Sequence, residues 1–216
     1  VAPHASAGIL FVISAPSGTG KSTVAHRLLE RVPELEFSVS YTTRPRREGE
    51  REGHDYHFVD RDQFEQMIRD GALLEWADVY GHLYGTGLEK TRETLSRGRS
   101  LLLDIDVQGA SQVRESELPG ISVMLLPPDY GTLEARLRQR ASESEADLDR
   151  RLARARDEVE DYRYFDYIVV NDEVDATASE LESIVRAERS RTDHCIHRAQ
   201  EIIATFPRAG QAAKEH

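Results

Sequence analysis

Cysteine is nearly absent from this chain: Cys195 is the only one among 216 residues. No intrachain disulfide can form and no cysteine-rich metal site can be built. A solitary cysteine with no motif around it reads as inert rather than catalytic. Basic residues are also in deficit. Lys and Arg number 28 against 39 Asp and Glu, a net charge of −11, which argues against non-specific nucleic-acid binding because that needs a basic face. A nucleotide ligand stays open, since a local arginine cluster can handle phosphates inside an acidic protein. Arg44, Arg46, Arg47 and Arg51 form one such cluster, and Arg136, Arg138 and Arg140 form another. Long apolar runs are missing too, none approaching the ~18 residues of a membrane span. The opening VAPHASAG has neither a basic end nor an apolar stretch. It does not read as a signal peptide and is expected to be a disordered lead over residues 1–8. The eight histidines show no metal-ligand spacing: His54 and His57 lack a third partner, and His194 and His197 read as surface residues. There is no internal repeat and no low-complexity tract.

What is present suits a soluble globular protein, with 39% hydrophobic and 31% charged residues in a length that holds one large domain or a core with an inserted lobe. The most informative stretch is ILFVISAPSGTGKST, Ile9 to Thr23. An apolar strand-like run feeds a turn with Gly18, Gly20, Lys21 and Ser22, and a helical pattern follows at once. That order is what a P-loop requires: Ala15, Pro16, Ser17, Gly18, Thr19 and Gly20 bring backbone N–H groups around phosphate oxygens, and Thr23 completes the run. The helix N-terminus adds partial positive charge. Lys21 can reach the outer phosphates, and the Ser22 hydroxyl can ligate Mg2+. Ala15 occupies the first position, where the motif usually has glycine.

Further strand-like runs are Leu101 to Ile105, Ile121 to Leu126 and Tyr167 to Val170, short and apolar as buried parallel strands are. Helical patterns alternate with them at Ser22 to Arg31, Val107 to Arg114 and Tyr130 to Arg140. Leu148, Leu152, Ala155 and Val159 form a helical stripe with Asp147 as its expected cap. A closing helix is marked by Val174, Ala178, Leu181 and Ile184, with a continuation through Ile196 and Ile203 left open. The pattern predicts an α/β fold with a doubly wound parallel sheet. Residues 9–36 and 99–206 would form the core, with a mobile lid at about 139–152. Residues 37–98, with short mixed segments and a short helix capped by Asp60 and stopped at Gly71, would form a small inserted lobe with some antiparallel sheet. Residues 207–216 would be a frayed tail.

Chemistry concentrates in the predicted lobe and at the strand ends. Arg44 and Arg47, three apart in a turn-rich loop, suit two guanidinium forks on one phosphate, and Tyr56 and Tyr84 can offer phenolic hydroxyls to the same group. Glu75 lies between Leu74 and Trp76, where a carboxylate needs a partner. Guanine supplies one, because its N1–H and 2-amino group match a carboxylate's two oxygens, whereas adenine presents a lone pair at N1. Asp104 and Asp106 alternate at a strand end, the usual edge of a ligand crevice. Asp106 can support water or Mg2+, or it can cap the following helix.

The segments FSVSYTTRPRREGEREGHDYHFV, LLEWADVYGHLYGT, LLLDIDVQGA and IVVND, together with the P-loop, resemble the guanylate kinase family in collinear order from Ile9 to about Arg189. The resemblance implies a P-loop kinase core with a lobe for GMP and a helical lid. It implies ATP-dependent phosphorylation of GMP, with dGMP as a further acceptor, in the presence of Mg2+. It assigns the GMP phosphate to Arg44, Arg47, Tyr56 and Tyr84, and the base to Ser40, Glu75 and Thr86. Asp104 then lies between the two nucleotides near the magnesium shell, Arg140 and Arg151 close on the triphosphate, and Asn171 touches the adenine side. Two departures stand out. The family's T-R-x-P-R is here Thr43-Arg44-Pro45-Arg46-Arg47, so Arg46 competes with Arg47 for the second phosphate position. The lid's Gly-Arg-Gly is here Gln139-Arg140-Ala141. Lys21, Arg44, Arg140 and Arg151 are the expected catalytic set, in a cytoplasmic enzyme that needs no nucleic-acid or membrane partner and whose oligomeric state stays open. Two rivals remain at this level: a catalytically silent protein-binding module of the same fold, and a different P-loop small-molecule kinase.

Overall fold

The four apolar runs expected as strands, and a fifth that carries no clear signal, line up as one parallel sheet. The structure is a computed structural model that describes residues 8–79, 81–140 and 145–206, with the backbone alone at Arg140, Ala146 and Asp147. The expected tail at 207–216 and nearly all of the expected lead lie outside the described residues. In chain order the elements begin with strand β1 (Leu10–Ser14), helix α1 (Lys21–Arg31), β2 (Leu35–Phe37), β3 (Tyr41–Thr42), β4 (His57–Phe58), α2 (Arg61–Arg69), β5 (Leu73–Val79) and β6 (His82–Gly87). They continue with α3 (Leu88–Ser96), β7 (Ser100–Asp104), α4 (Val107–Glu115), β8 (Ile121–Leu126), α5 (Tyr130–Arg140) and α6 (Glu145–Glu160). A short 3-10 turn (Asp161–Tyr164), β9 (Tyr167–Val170), α7 (Val174–Arg189) and α8 (Thr192–Ala204) complete the order.

The parallel sheet runs β2-β7-β1-β8-β9. Every residue of β1 is buried, and its alternation serves both faces. Phe11 and Ile13 pack with Val24 and Leu28 of α1 and Leu181 and Val185 of α7. Leu10 and Val12 pack on the other side with Leu101 and Leu103 of β7, Leu95 of α3, and Ala110 and Val113 of α4. Helices therefore cover both faces, and the doubly wound expectation holds. All five strands point the same way, so Ser14, Asp104 and Asn171 arrive at one edge of the sheet.

Between β2 and α3 the chain builds a second sheet, β4-β3-β6-β5, in which β3 and β4 are parallel and the other pairings antiparallel. Its helix α2 is fixed at both ends. Gln63 N–H donates to Asp60 Oδ1 at 2.8 Å and Asp60 N–H donates to Gln63 Oε1 at 3.2 Å, a reciprocal cap. Gly71 ends the turn that follows at φ +63. The apolar anchor is Phe64, fully buried. A third cluster joins Leu133 and Leu137 of α5 to Leu148, Leu152 and Ala155 of α6.

One expectation changes, one point left open is decided, and two elements appear for which no expectation was made. Asp147 is not a cap, because α6 starts two residues earlier at Glu145. The closing helix is two helices, broken at Ser190 and Arg191, with Ile196 and Ile203 in the second. Strand β2 and helix α3 carry no clean periodicity and take their form from the core they cover: Leu35 and Leu95 are buried there.

Truncating the lobe's anchor gives a direct measure of its cohesion. Phe64→Ala is expected to lower the free energy of unfolding by about 3–5 kcal/mol, as for other large buried aromatics, read by urea denaturation. A loss near zero would show that α2 is not held by its apolar face.

Candidate active site

The loop after β1 is built on two left-handed residues, Gly18 at φ 91 and Gly20 at φ 95, a conformation that side-chain-bearing residues resist. Space is short as well: a Cβ on Gly18 would lie 2.7 Å from Leu137 Cδ2, and one on Gly20 would lie 2.9 Å from Asn171 Nδ2. The loop is pinned from behind. Thr19 O accepts from Asn171 Nδ2 at 2.6 Å and from Arg136 Nη1 at 3.3 Å, and Thr19 N–H donates to Pro16 O at 3.2 Å. Ala15 and Pro16 are buried, Ser17 and Gly18 partly so, and Thr23 is exposed on the first turn of α1.

Lys21 opens α1. Its Nζ donates to Ile105 O at 2.5 Å and forms an ion pair with Asp104 Oδ1, while Ser22 Oγ donates to Asp104 Oδ2 at 2.7 Å. The P-loop cation, its hydroxyl and the strand-end carboxylate thus meet at the edge of the sheet. Asp106, one step on, caps α4 by accepting from Gly109 N–H at 2.8 Å, and its other oxygen accepts from Arg154 Nη2 at 3.1 Å. The capping alternative for Asp106 is therefore realised.

Beside this edge lies a cavity of about 240 Å³ lined by Lys21, Ser40, Tyr56, Glu75, Tyr84 and Asp104, among others. Glu75 is only 4% exposed. Its Oε1 accepts from Thr86 Oγ1 at 2.7 Å across the β5–β6 ladder. Burial pushes its carboxyl up to about 7, against the opposing effect of the Thr86 hydroxyl. Thr86 thus supports the carboxylate directly. Ser40 lines the cavity through the stretch that leads from β2 into β3.

Arg44 is buried, and its fork is occupied. Nη1 and Nη2 donate to Glu50 Oε2 at 3.1 Å and Oε1 at 2.6 Å, Nη1 also donates to Pro45 O at 2.8 Å, and Nε donates to Tyr84 OH at 3.2 Å. Tyr56 places its ring 5.4 Å from the guanidinium carbon and 5.8 Å from the Tyr84 ring, and burial raises its phenol pKa. Glu50 also accepts from Arg47 N–H at 2.7 Å. Those two bonds, Arg44 first, hold the Glu50 carboxyl below its ordinary value. The side chains of Arg46 and Arg47 are exposed.

On the far side of the P-loop a second cavity, about 270 Å³, is lined by Gly18, Gly20, Thr23, Arg136 and Asn171. Asn171 lines it but spends its amide on Thr19 O and on Thr177, whose hydroxyl donates to Asn171 Oδ1 at 3.1 Å. Across the site, α6 turns one face inward, with Arg151, Arg154 and Glu158 three and four residues apart. Arg154 Nε donates to Glu158 Oε1 at 2.6 Å, and Glu158 Oε2 accepts from Ser17 N–H at 3.4 Å. Arg151 is half-buried on that face. Arg140 ends α5, and its side chain lies outside the described residues.

The structure therefore brings together Lys21, Ser22, Ser40, Arg44, Tyr56, Glu75, Tyr84, Thr86 and Asp104, leaves Arg47 at the rim, and makes Asn171 a support of the loop. Sequence reasoning missed Glu50, Arg154, Glu158 and Gly109. Glu50 sits in a charged turn with no periodicity to reveal its partner. Arg154 and Glu158 share a helix face with Arg151, a spacing that was readable. Gly109 lies within LLLDIDVQGA, where a helical glycine offers no chemistry to notice. Arg136 was seen only as part of an arginine cluster.

A family model described as Guanylate kinase matches residues 8–188. The chain is 46% identical over 190 residues to the guanylate kinase of Bradyrhizobium diazoefficiens, covering 88% of this chain and 87% of that one. It is 49% identical over 174 residues to that of Oleidesulfovibrio alaskensis, covering 81% and 84%. Among solved structures, the guanylate kinase from Anaplasma phagocytophilum matches with a TM-score of 0.75 and 34% identity, over 94% of this chain and 97% of that one.

The buried carboxyl gives the site a pH signature. Glu75 titrates at the ordinary 4.5 when unfolded and at about 7 when folded. Since the folded value is the higher, its contribution to stability is complete below pH 4.5 and is lost as pH rises through 7. Glu75 is expected to contribute a loss of about 3 kcal/mol of unfolding free energy over that window, and Glu75→Gln is expected to remove that part of the slope. Urea denaturation of both proteins across the window measures it. Parallel profiles would mean that the carboxylate stays solvated.

Proposed function

The chain belongs to the guanylate kinase family, and we propose how its residues share the transfer of a phosphoryl group from ATP to GMP. The reaction joins the GMP phosphate oxygen to the γ-phosphorus of ATP and releases ADP and GDP. That oxygen is already ionised near neutral pH, so no strong general base is required. Catalysis rests on alignment and on neutralising charge at the transferring group.

The observation that carries the base assignment is Glu75, a buried carboxyl in the lining of the first cavity that accepts from the Thr86 hydroxyl. Guanine completes it with the parallel N1–H and 2-amino donors, and Ser40 lies beside it for the remaining polar edge. Arg44, Arg47, Tyr56 and Tyr84 hold the GMP phosphate. Glu50, which fills the Arg44 fork here, is the partner that the phosphate replaces. Lys21 and the backbone of the P-loop hold the ATP phosphates, with Asn171 and Arg136 bracing that loop from behind. Arg151 and Arg140 approach the triphosphate from the lid. This division of roles is supported by the proximity of Lys21, Asp104 and Glu75 around one cavity.

Mg2+ fits the donors available. Among the described residues no group of three or more His, Cys, Asp or Glu could hold a metal alone, but Mg2+ takes one or two protein oxygens and completes its shell with water and phosphate. Ser22 Oγ and the Asp104 carboxylate, 2.7 Å apart, would supply those oxygens, with Asp106 reaching through water. When bound there, the ion neutralises charge on the β- and γ-phosphates. No helix among the described residues is long and apolar enough to cross a membrane. A cytoplasmic location suits substrates of this kind.

Base selection tests the reading directly. Glu75→Gln keeps the shape but replaces one acceptor with a donor facing a guanine N–H. The kcat/KM for GMP is expected to fall by roughly two orders of magnitude or more, because sites built on hydrogen bonds discriminate strongly, while AMP gains relative to GMP. An unchanged GMP-to-AMP ratio would remove Glu75 from base recognition.

The shifted proline is tested in the same assay. Arg47 N–H donates to Glu50, the carboxylate that pairs with Arg44, whereas Arg46 is an exposed residue one step earlier in the turn. Arg47→Ala is expected to cost about 1.5–3 kcal/mol of charge-assisted bonding, roughly tenfold to a hundredfold in kcat/KM for GMP, and Arg46→Ala distinctly less. The reverse order would exchange their roles.

A further inference from the structure

Strand β5 is an edge strand of the lobe sheet, and an edge leaves backbone groups unpaired. At Trp76, next to Glu75, one side chain fills the place of a missing strand. Trp76 N–H donates to Gln112 Oε1 at 3.1 Å, and Gln112 Nε2 donates to Trp76 O at 2.7 Å. A primary amide carries a donor and an acceptor in one plane, as a peptide group does, so Gln112 closes the edge at a single residue. The ladder on the other side of β5 is irregular at this point, with its register shifting between Leu73 and Glu75. The clamp therefore fixes the strand where its own sheet is least regular.

Gly109 lies one helical turn earlier on the same face of α4. Its conformation does not demand glycine, since it is absent from the left-handed positions, and glycine inside a helix is unfavourable relative to alanine. What requires it is room. A Cβ there would overlap Glu75 Oε2 and lie 3.2 Å from its carboxyl carbon. Helix α4 is in turn rooted in the core: Asp106 caps it, and Ala110 and Val113 pack against Leu10, Val12, Leu101 and Leu103.

We propose that this face of α4 sets the depth and register of Glu75, with Gly109 as a specificity-determining residue and Gln112 as a positioning residue, so that base choice is specified partly from the core. The inference rests on the reading that Glu75 receives the base. A fold-wide role would move all kinetic parameters together. Positioning of Glu75 would move only those of the acceptor.

Gly109→Ala and Gln112→Leu, the second removing both bonds at similar volume, are assayed with GMP and AMP and melted in parallel. Each is expected to raise KM for GMP by about tenfold to a hundredfold, the size of effect that a misplaced binding group produces. KM for ATP should be unchanged and the GMP-to-AMP preference should fall. Gln112→Glu, which keeps one of the two bonds, is expected to lie between Gln112→Leu and the wild type. If Gly109→Ala does not fold, the Gln112 pair carries the test alone. Folded variants with an unchanged preference, or with KM for ATP rising in step, would overturn the proposal. Glu75→Gln run beside them separates the two readings: a shifted ratio there with none at positions 109 and 112 defeats only the α4 proposal, whereas no shift at position 75 defeats base recognition and the α4 proposal together.

Discussion

A carboxylate taken out of water has to be paired, and Glu75 is paired only in part. Thr86 supplies one donor. Its side chain also lines a cavity, and burial raises its pKa to about 7. A ligand that brings two parallel donors stabilises the charged form, so binding and ionisation are linked. On the proposed reading, Glu75 couples recognition of a base to the local dielectric in a way that an exposed glutamate could not. The hydroxyl across the ladder and the glycine that makes space both serve this one group.

The donor end of the site follows a different logic. Parallel strands deliver their C-terminal ends to one edge, and there the cation Lys21 is satisfied by Asp104 and a backbone carbonyl. Arg44 is likewise satisfied, by Glu50. Lys21 and Arg44 each have an internal anion beside them, so neither of these partly desolvated charges stands alone. On the reading proposed above, a phosphate entering the site takes the place of these carboxylates. The charge that makes the site attractive is thereby compatible with a folded, ligand-free protein.

How much of this could be read beforehand depended on the range of the interaction. The P-loop was legible because its strand, glycines, lysine and helix are contiguous and each has a local reason. The apolar run of the first strand was legible for the same reason, and the cap at Asp60 is likewise a local matter. What escaped was non-local or lacked a chemical marker. Leu35 to Phe37 forms a strand only because β7 offers it an edge. The helix Leu88–Ser96 has a mixed surface and is ordered by burial of Thr91 and Leu95. Glu50, Glu158 and Gly109 matter through partners 6, 141 and 34 residues away in the chain, separations over which neither periodicity nor composition carries information. The resemblance to a family assigned roles to residues without revealing what holds them.

Arg136 donates to the carbonyls of Thr19, Asn171 and Asp172 at 3.3, 3.0 and 3.2 Å. All three acceptors are main-chain oxygens, which every amino acid supplies. Mutational tolerance around this joint is therefore lopsided. At the accepting positions a change of side chain leaves the oxygen in place, whereas at position 136 no other residue presents a planar fork of five N–H donors. Side chains at Thr19 and Asp172 can drift without loosening the brace, provided that Arg136 and the Asn171 amide stay fixed.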